Sequence, residues 1–225
     1  MAEICHAAAD SFIRLLDNSN ISIVVPGGNT PRDFFISLTL TDIDWSKICL
    51  ILSDERMVSV NHKASNYGMI KETILKKLPK KNKPVVIPNM ENFKETNSKE
   101  FLEKTNFSLK GKFPIKHAFL GIGSDGHTAS LFPGSNMVSR DDESFFYIKK
   151  RGESYQRMTL SMHFLLNMPN LTFLVSGKSK HDSLKKILNG CNINNKSPAH
   201  QLVDKSNGQV SIFCDQEAWP GKVYA

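Results

Sequence analysis

Apolar positions along the chain fall into six short runs separated by stretches of helical period. At the start, Ile4, Ala8, Phe12, Leu15 and Leu16 share one face of a helix, and the polar segment Asp17 to Asn20 stops it. ISIVV (21–25) then reads as a buried strand, PGGNT as a tight loop, and PRDFFISL as a helix opened by Pro31 in its first turn. The unit recurs loosely. KICLIL (47–52) leads through SDERMVSVNHKAS to a helix from about Asn66 to Leu78, with Ile70, Ile74 and Leu78 on one stripe. VVI (85–87) precedes a polar, helix-like stretch, and IKHAFLGIG (115–123), LTFLVSG (171–177) and VSIFC (210–214) complete the set of strands, with the helix KSKHDSLKKIL between the last two. Near-continuous apolar strands alternating with helices predict an α/β fold, a doubly wound and mostly parallel sheet with helices on both faces. Ser135 to Gly152 is the least regular segment, read as a mobile loop around a short strand, SFFYIK.

A length of 225 residues with 40% hydrophobic content suits one domain spanning 1–225. No apolar run reaches membrane-spanning length, and the N-terminus lacks the basic end and apolar core of a signal peptide. These features predict a cytoplasmic chain with no membrane partner. Cys5, Cys49, Cys191 and Cys214 are scattered, without C-x-x-C pairs or zinc spacing, and read as buried free thiols. The net charge of +7 is concentrated in KKLPKKNK (76–83), a run without interleaved aromatics. A basic surface suits nucleic acid or an anionic metabolite, and composition does not choose between them.

In an open parallel sheet, ligands bind beyond the carboxyl ends of the strands, so chemistry is sought in the loops leaving them. In PGGNTP, Gly27 and Gly28 let the backbone approach an anion, Thr30 offers a hydroxyl, and the next helix points free N–H groups at the loop. An ordinary strand-to-helix turn has the same composition. In SDERMV, Arg56 can clamp a phosphate or carboxylate, and Asp54 can bind a sugar hydroxyl or a catalytic water; a surface ion pair is the bland alternative. Lys178 and Lys180 open a helix, where the dipole disfavours cations unless an anion is bound, although solvent-facing lysines would look the same.

LGIGSDGHTASLFPG (120–134) contains the G-x-G-x-x-G spacing of dinucleotide sites in Gly121, Gly123 and Gly126. That reading requires a long helix after the glycines and an acidic residue ending the next strand. Pro133 interrupts the helix, and Asp141 follows a segment without strand character. What remains is Asp125 and His127 on a glycine-flanked loop, an imidazole suited to take a proton from water beside a carboxylate that can orient it. Ser130 lacks the G-x-S-x-G context of a nucleophile.

Taken in order, PGGNTP, LSDERMVSVNHKASNYGM, FLGIGSDGHTASLFPG, RMTLSMHFLLN, FLVSGKSK and SPAHQLV…VSIFCDQEAW resemble the 6-phosphogluconolactonase family over nearly the whole chain. The resemblance implies the Rossmann-like fold of the glucosamine-6-phosphate deaminase/6-phosphogluconolactonase type. It also implies hydrolysis of 6-phospho-D-glucono-1,5-lactone to 6-phospho-D-gluconate in the oxidative pentose phosphate pathway, without metal or organic cofactor. His127 matches the family's general base and Asp125 its neighbouring aspartate. Gly27, Gly28, Asn29 and Thr30 match the glycine loop, and Arg56, Asn66, Arg157 and Lys180 match the arginine of DER, the asparagine of SNY, the arginine of R-[IM]-T-L and the lysine of G-x-x-K.

The implied partner is a small sugar phosphate, with no nucleic acid; the oligomeric state stays open, a monomer being compatible. On this reading, cations among Arg56, Arg157 and Lys180 anchor the phosphate, and Arg157→Ala should chiefly weaken affinity. Backbone N–H groups of the glycine loops are candidate oxyanion donors. Two departures stand out: PGGNTP replaces the more usual SGGSTP, and RGESYQRMTL is less proline-rich than is typical before the arginine. The related glucosamine-6-phosphate deaminases carry a glutamate where this chain has Phe132, which favours the lactonase. A deaminase-like enzyme and a non-catalytic sugar-phosphate sensor are the alternatives.

Overall fold

The computed structural model describes residues 2–111, 113–135, 143–190 and 197–221. Seven α-helices and nine strands are named here: α1 (Ala2–Arg14), β1 (Ile21–Val25), α2 (Asn29–Leu38), β2 (Ile48–Leu52), β3 (Asp54–Arg56), α3 (Asn66–Ile70), β4 (Val85–Ile87), α4 (Ser98–Leu109), β5 (Ile115–Gly121), β6 (Phe145–Ile148), β7 (Arg157–Leu160), α5 (Met162–Leu166), β8 (Asn170–Val175), α6 (His181–Leu188), α7 (Pro198–Lys205) and β9 (Gln209–Cys214). The six strands expected from the apolar runs form one sheet in the order β4-β2-β1-β5-β8-β9, with every pairing parallel. All five residues of β1 and of β2 are buried, so side chains of both parities are covered and the sheet is layered on both faces.

One helical layer is held by aromatic packing. Phe12 of α1 and Phe34 of α2 lie with ring centroids 5.9 Å apart, and the ring of Phe119 of β5 is tilted against Phe34 at 5.5 Å. Trp45 closes the cluster 6.1 Å from Phe12, and all four side chains are almost wholly buried. Fully burying a side chain of this size contributes roughly 1.5–3 kcal/mol, so this cluster alone is a substantial share of a marginal folding free energy.

Chain order in the sheet reverses between β1 and β5. From β1 the sequence proceeds outward to β2 and β4, and from β5 to β8 and β9 in the other direction. Their connections therefore diverge and leave a crevice beyond the carboxyl ends of β1 and β5. The two loops that open there are PGGNTP and GIGSDGH.

A second sheet, antiparallel and ordered β3-β7-β6, was not anticipated beyond the short strand around β6. It joins the main sheet at Ser53, whose N–H donates to Val25 O at 2.9 Å and whose carbonyl accepts from Leu160 N at 2.9 Å. The helix expected from Asn66 to Leu78 is α-helical only to Ile70 and continues to Leu75 with π-type bonding. Residues 136–142 of the loop expected from Ser135 to Gly152, and Cys191, lie outside the described residues, whereas Cys5 and Cys49 are buried and Cys214 is half-buried. Among the described residues, no helix is long and apolar enough to cross a membrane.

Candidate active site

The crevice is a cleft of about 360 Å³ whose lining includes Gly27, Gly28, Asp54, Arg56, His127, Arg157 and Lys180. Residues from five separate loops and strands thus converge where the topology requires. Seven of the eleven site residues expected from sequence line it. Of the others, Asp125 and Asn66 stand directly behind cleft residues, and Asn29 and Thr30 form the first turn of α2.

His127 sits on a loop fixed from three directions. Gly123 N donates to His127 O at 2.8 Å, Thr128 Oγ1 to Gly121 O at 2.8 Å, and Ala199 N, at the start of α7, to Gly126 O at 3.1 Å. Asp125 Oδ1 accepts the His127 N–H at 3.1 Å and lies 2.5 Å from its Nδ1. Burial works against ionisation of Asp125, but the hydrogen bonds from His127 prevail and hold its carboxyl below the ordinary value. With Nδ1 engaged, Nε2 is the ring nitrogen left for chemistry. Gly123 is required for this seat, since a Cβ there would fall 2.0 Å from His127 Nδ1. No helix follows the glycines; a turn and a bridge between Thr128 and Leu131 take its place, so the geometry of a dinucleotide site is missing.

Strand alternation sorts the DER triplet. Because β3 pairs with β7 in the register Asp54↔Thr159 and Arg56↔Arg157, Asp54, Arg56 and Arg157 share one face. Glu55 points to the other, where it is wholly buried. Its carboxylate accepts from Asn66 N at 2.8 Å, Tyr67 N at 2.6 Å and Arg56 N at 2.7 Å, capping α3 and tying SNY to DER. Burial raises this carboxyl to about 7 against the pull of those N–H groups. Asn66 is buried too: its Nδ2 donates to Asp54 O at 2.8 Å while its Oδ1 accepts from Arg56 Nη1 at 2.5 Å. It supports Arg56 from behind, and it fills the space a Cβ on Gly27 would need.

Arg157 is the most enclosed cation in the cleft, only 6% exposed. Nε and Nη2 each donate to Glu153 at 2.7 Å, Nη1 donates to Ser130 Oγ at 3.2 Å, and Asp54 Oδ2 lies 3.5 Å away. Ser130 Oγ in turn donates to Asp54 Oδ2 at 2.5 Å, so the serine is a link in a network. Desolvation pulls the guanidinium down, but Glu153 and Asp54 more than offset it and hold Arg157 above its ordinary value. Phe132 lies under the group, 5.6 Å from Arg157 Cζ and 5.0 Å from the His127 ring centroid.

The remaining cations are less committed. Among the described residues, Arg56 Nε is buried without a partner and the Lys180 ammonium has none. Lys178 lines a different groove with His181 and Glu217. Lys180 is carried by the SGKSK turn, which Asp215 anchors through Ser176 Oγ at 2.6 Å and Gly177 N at 3.1 Å. The N–H groups of Gly123 and Gly126 are used within their own loop, whereas those of Gly27 and Gly28 have no partner among the described residues. Sequence reasoning missed Glu153, the Glu55 cap and Asp215. Of these, only Glu153 left a legible signal, its position four residues before Arg157.

The family described as glucosamine-6-phosphate isomerases/6-phosphogluconolactonase matches residues 1–212. A 6-phosphogluconolactonase of Synechocystis sp. is 31% identical over 204 residues, which cover 88% of this chain and 82% of the relative. The crystal structure of a 6-phosphogluconolactonase from Shewanella baltica is similar with a TM-score of 0.78 and 26% identity, over 94% of this chain and 93% of that one. A monomeric glucosamine-6-phosphate deaminase shares the fold with a TM-score of 0.73 at 19% identity, over 96% and 95% of the two chains. The fold is therefore common to both chemistries, and the site must separate them.

Proposed function

Because this chain belongs to the glucosamine-6-phosphate isomerase/6-phosphogluconolactonase family, we propose that it is a 6-phosphogluconolactonase. It hydrolyses 6-phospho-D-glucono-1,5-lactone to 6-phospho-D-gluconate in the oxidative pentose phosphate pathway. The observation that carries this reading over the deaminase is the environment of His127. Its Nδ1 is bound by Asp125, and the residue packed on its ring is Phe132, which has no group to exchange a proton with it. That arrangement suits a single base acting on water.

In the proposed reaction the phosphate lies against Arg56, Lys180 and the free N–H groups of Gly27 and Gly28, at the N-terminus of α2. His127 Nε2 takes a proton from water as the water oxygen bonds to C1. The tetrahedral intermediate then collapses with cleavage of the bond from C1 to the ring oxygen, and the imidazolium returns its proton to that oxygen. General-base help of this kind is typically worth about 10²- to 10⁴-fold. Asp125 keeps the proton on Nδ1 and stabilises the imidazolium, while Asn66 and Asp54 position the arginines. Side chains and water suffice for every step, and a cytoplasmic setting fits the sugar-phosphate substrate.

An assay with freshly generated 6-phosphogluconolactone, run beside glucosamine 6-phosphate, tests the reading. Accelerated lactone hydrolysis with no release of ammonia is expected. Tight binding of 6-phosphogluconate without acceleration would instead make the protein a sensor.

A further inference from the structure

Arg56 and Arg157 stand directly opposite one another in the antiparallel register of β3 and β7. Like charges so placed repel and destabilise a strand pair, and the repulsion is greater here because Arg157 is almost wholly buried. Two ways of resolving that repulsion differ in function. Either the paired guanidinium groups await a phosphate dianion together, or one of them is neutralised from within and withdrawn from substrate binding.

The contacts of Arg157 decide between them. Glu153, only four residues earlier on the segment entering β7, takes Nε and Nη2 in a bidentate pair, with both contacts at 2.7 Å. Asp54 and Ser130 take Nη1 on the other side, so carboxylates flank the guanidinium at both ends. Glu153 also lies 3.7 Å from Lys150 Nζ, and Lys150 and Arg157 both sit over the Phe132 ring, at 5.0 and 5.6 Å. Its carboxyl is held below the ordinary value, chiefly by the hydrogen bond from Arg157 and then by the fields of Arg157, Lys150 and Arg56. A phosphate brought to this guanidinium would have to displace a local carboxylate and would then lie beside it.

We propose that Glu153 is a positioning residue that locks Arg157 as a strut over Phe132 and beside Asp54, leaving phosphate recognition to Arg56 and Lys180. Arg157 then serves the chemical step by holding Phe132 against the His127 ring and by fixing the Ser130–Asp54 pair. The inference rests on the lactonase reading and changes one of its expectations: loss of Arg157 should lower kcat more than it weakens affinity.

The test is Glu153→Gln, which keeps the side-chain shape and removes the charge. Glu153 is partly exposed on a loop, so the variant should fold; a thermal melt checks this. Measured with 6-phosphogluconolactone, kcat should fall by about ten-fold or more while KM stays within about two-fold, the signature of lost transition-state support. In an Arg157→Met background, Glu153→Gln should have little further effect, because it acts through Arg157. Calorimetric affinity for 6-phosphogluconate should be unchanged by Glu153→Gln, a readout that does not depend on turnover. A fall in KM and tighter product binding would show that Glu153 had been masking a phosphate clamp and would overturn the proposal, as would an unchanged kcat. Absence of lactonase activity in the wild-type protein would defeat the functional reading itself, separately from this one.

Discussion

Asp125 Oδ1 stands 2.5 Å from Nδ1 of His127 and also accepts that residue's backbone N–H at 3.1 Å. A single carboxylate oxygen therefore fixes both the ring and the turn that bears it. His127→Ala should reduce kcat for lactone hydrolysis by about 10²- to 10⁴-fold, the range of general-base catalysis. Asp125→Asn removes the anion that stabilises the imidazolium and should cost about 10²- to 10⁴-fold in kcat, with a smaller change in KM. Steady-state kinetics of the two variants check this, and near wild-type turnover in His127→Ala would remove the residue from the mechanism.

Six strands of the main sheet were readable because each is an apolar run bounded by polar turns, and burial on both faces requires that composition. The smaller sheet was not, because β3 consists of Asp54, Glu55 and Arg56, charges that read as a loop. They are tolerated there because each has partners far away in sequence: Asn66 and Tyr67 for Glu55, Ser130 and Arg157 for Asp54. For the same reason the site was legible in membership and less so in role. Arg157 and Asn66 were both recognised as functional, but only the folded contacts show Asn66 buried behind Arg56 and Arg157 enclosed by Glu153.

The Glu55 cap gives a stability prediction. Glu55→Ala leaves the N–H groups of Arg56, Asn66 and Tyr67 without their acceptor in a buried site. Leaving a buried donor unsatisfied costs about 1–3 kcal/mol, so a total loss of about 3 kcal/mol is expected. For a chain of this size that lowers Tm by about 10 °C, readable by calorimetry. At temperatures where the variant remains folded, KM should rise, because Asn66 no longer holds Arg56.

His117 sets an acid limb of stability. It is buried on β5, its Nε2 lies 2.8 Å from Thr172 Oγ1, and its Nδ1 has no partner among the described residues; burial lowers its pKa from 6.5 to about 4. Between those values the unfolded chain binds the proton and the folded chain does not. The stabilisation is complete above about pH 6.5 and is lost as pH falls toward 4, by about 3 kcal/mol in all. Glu55, with its raised pKa, acts in the opposite sense over part of this range, so the wild-type curve alone does not isolate the effect. The difference in unfolding free energy between wild type and His117→Gln, measured from pH 7.5 to about 4, should shrink as pH falls. A difference independent of pH would show that His117 titrates normally in the fold.

Lys180 offers the cleanest separation of binding from folding. Its ammonium lines the cleft and has no partner among the described residues, so Lys180→Met removes no internal contact of that group. Stability should change by less than about 0.5 kcal/mol, as for most exposed substitutions. A charge-assisted hydrogen bond to a phosphate oxygen contributes about 1.5–3 kcal/mol, so KM should rise by about ten- to a hundred-fold. Because the phosphate is bound alike in the ground and transition states, kcat should stay within a few-fold of wild type. Raised ionic strength should weaken wild-type affinity more than that of the variant, since one of the attracting charges is gone. An unaltered KM in Lys180→Met would move the phosphate away from the α6 end of the cleft and leave Arg56 and the Gly27–Gly28 amides as its site.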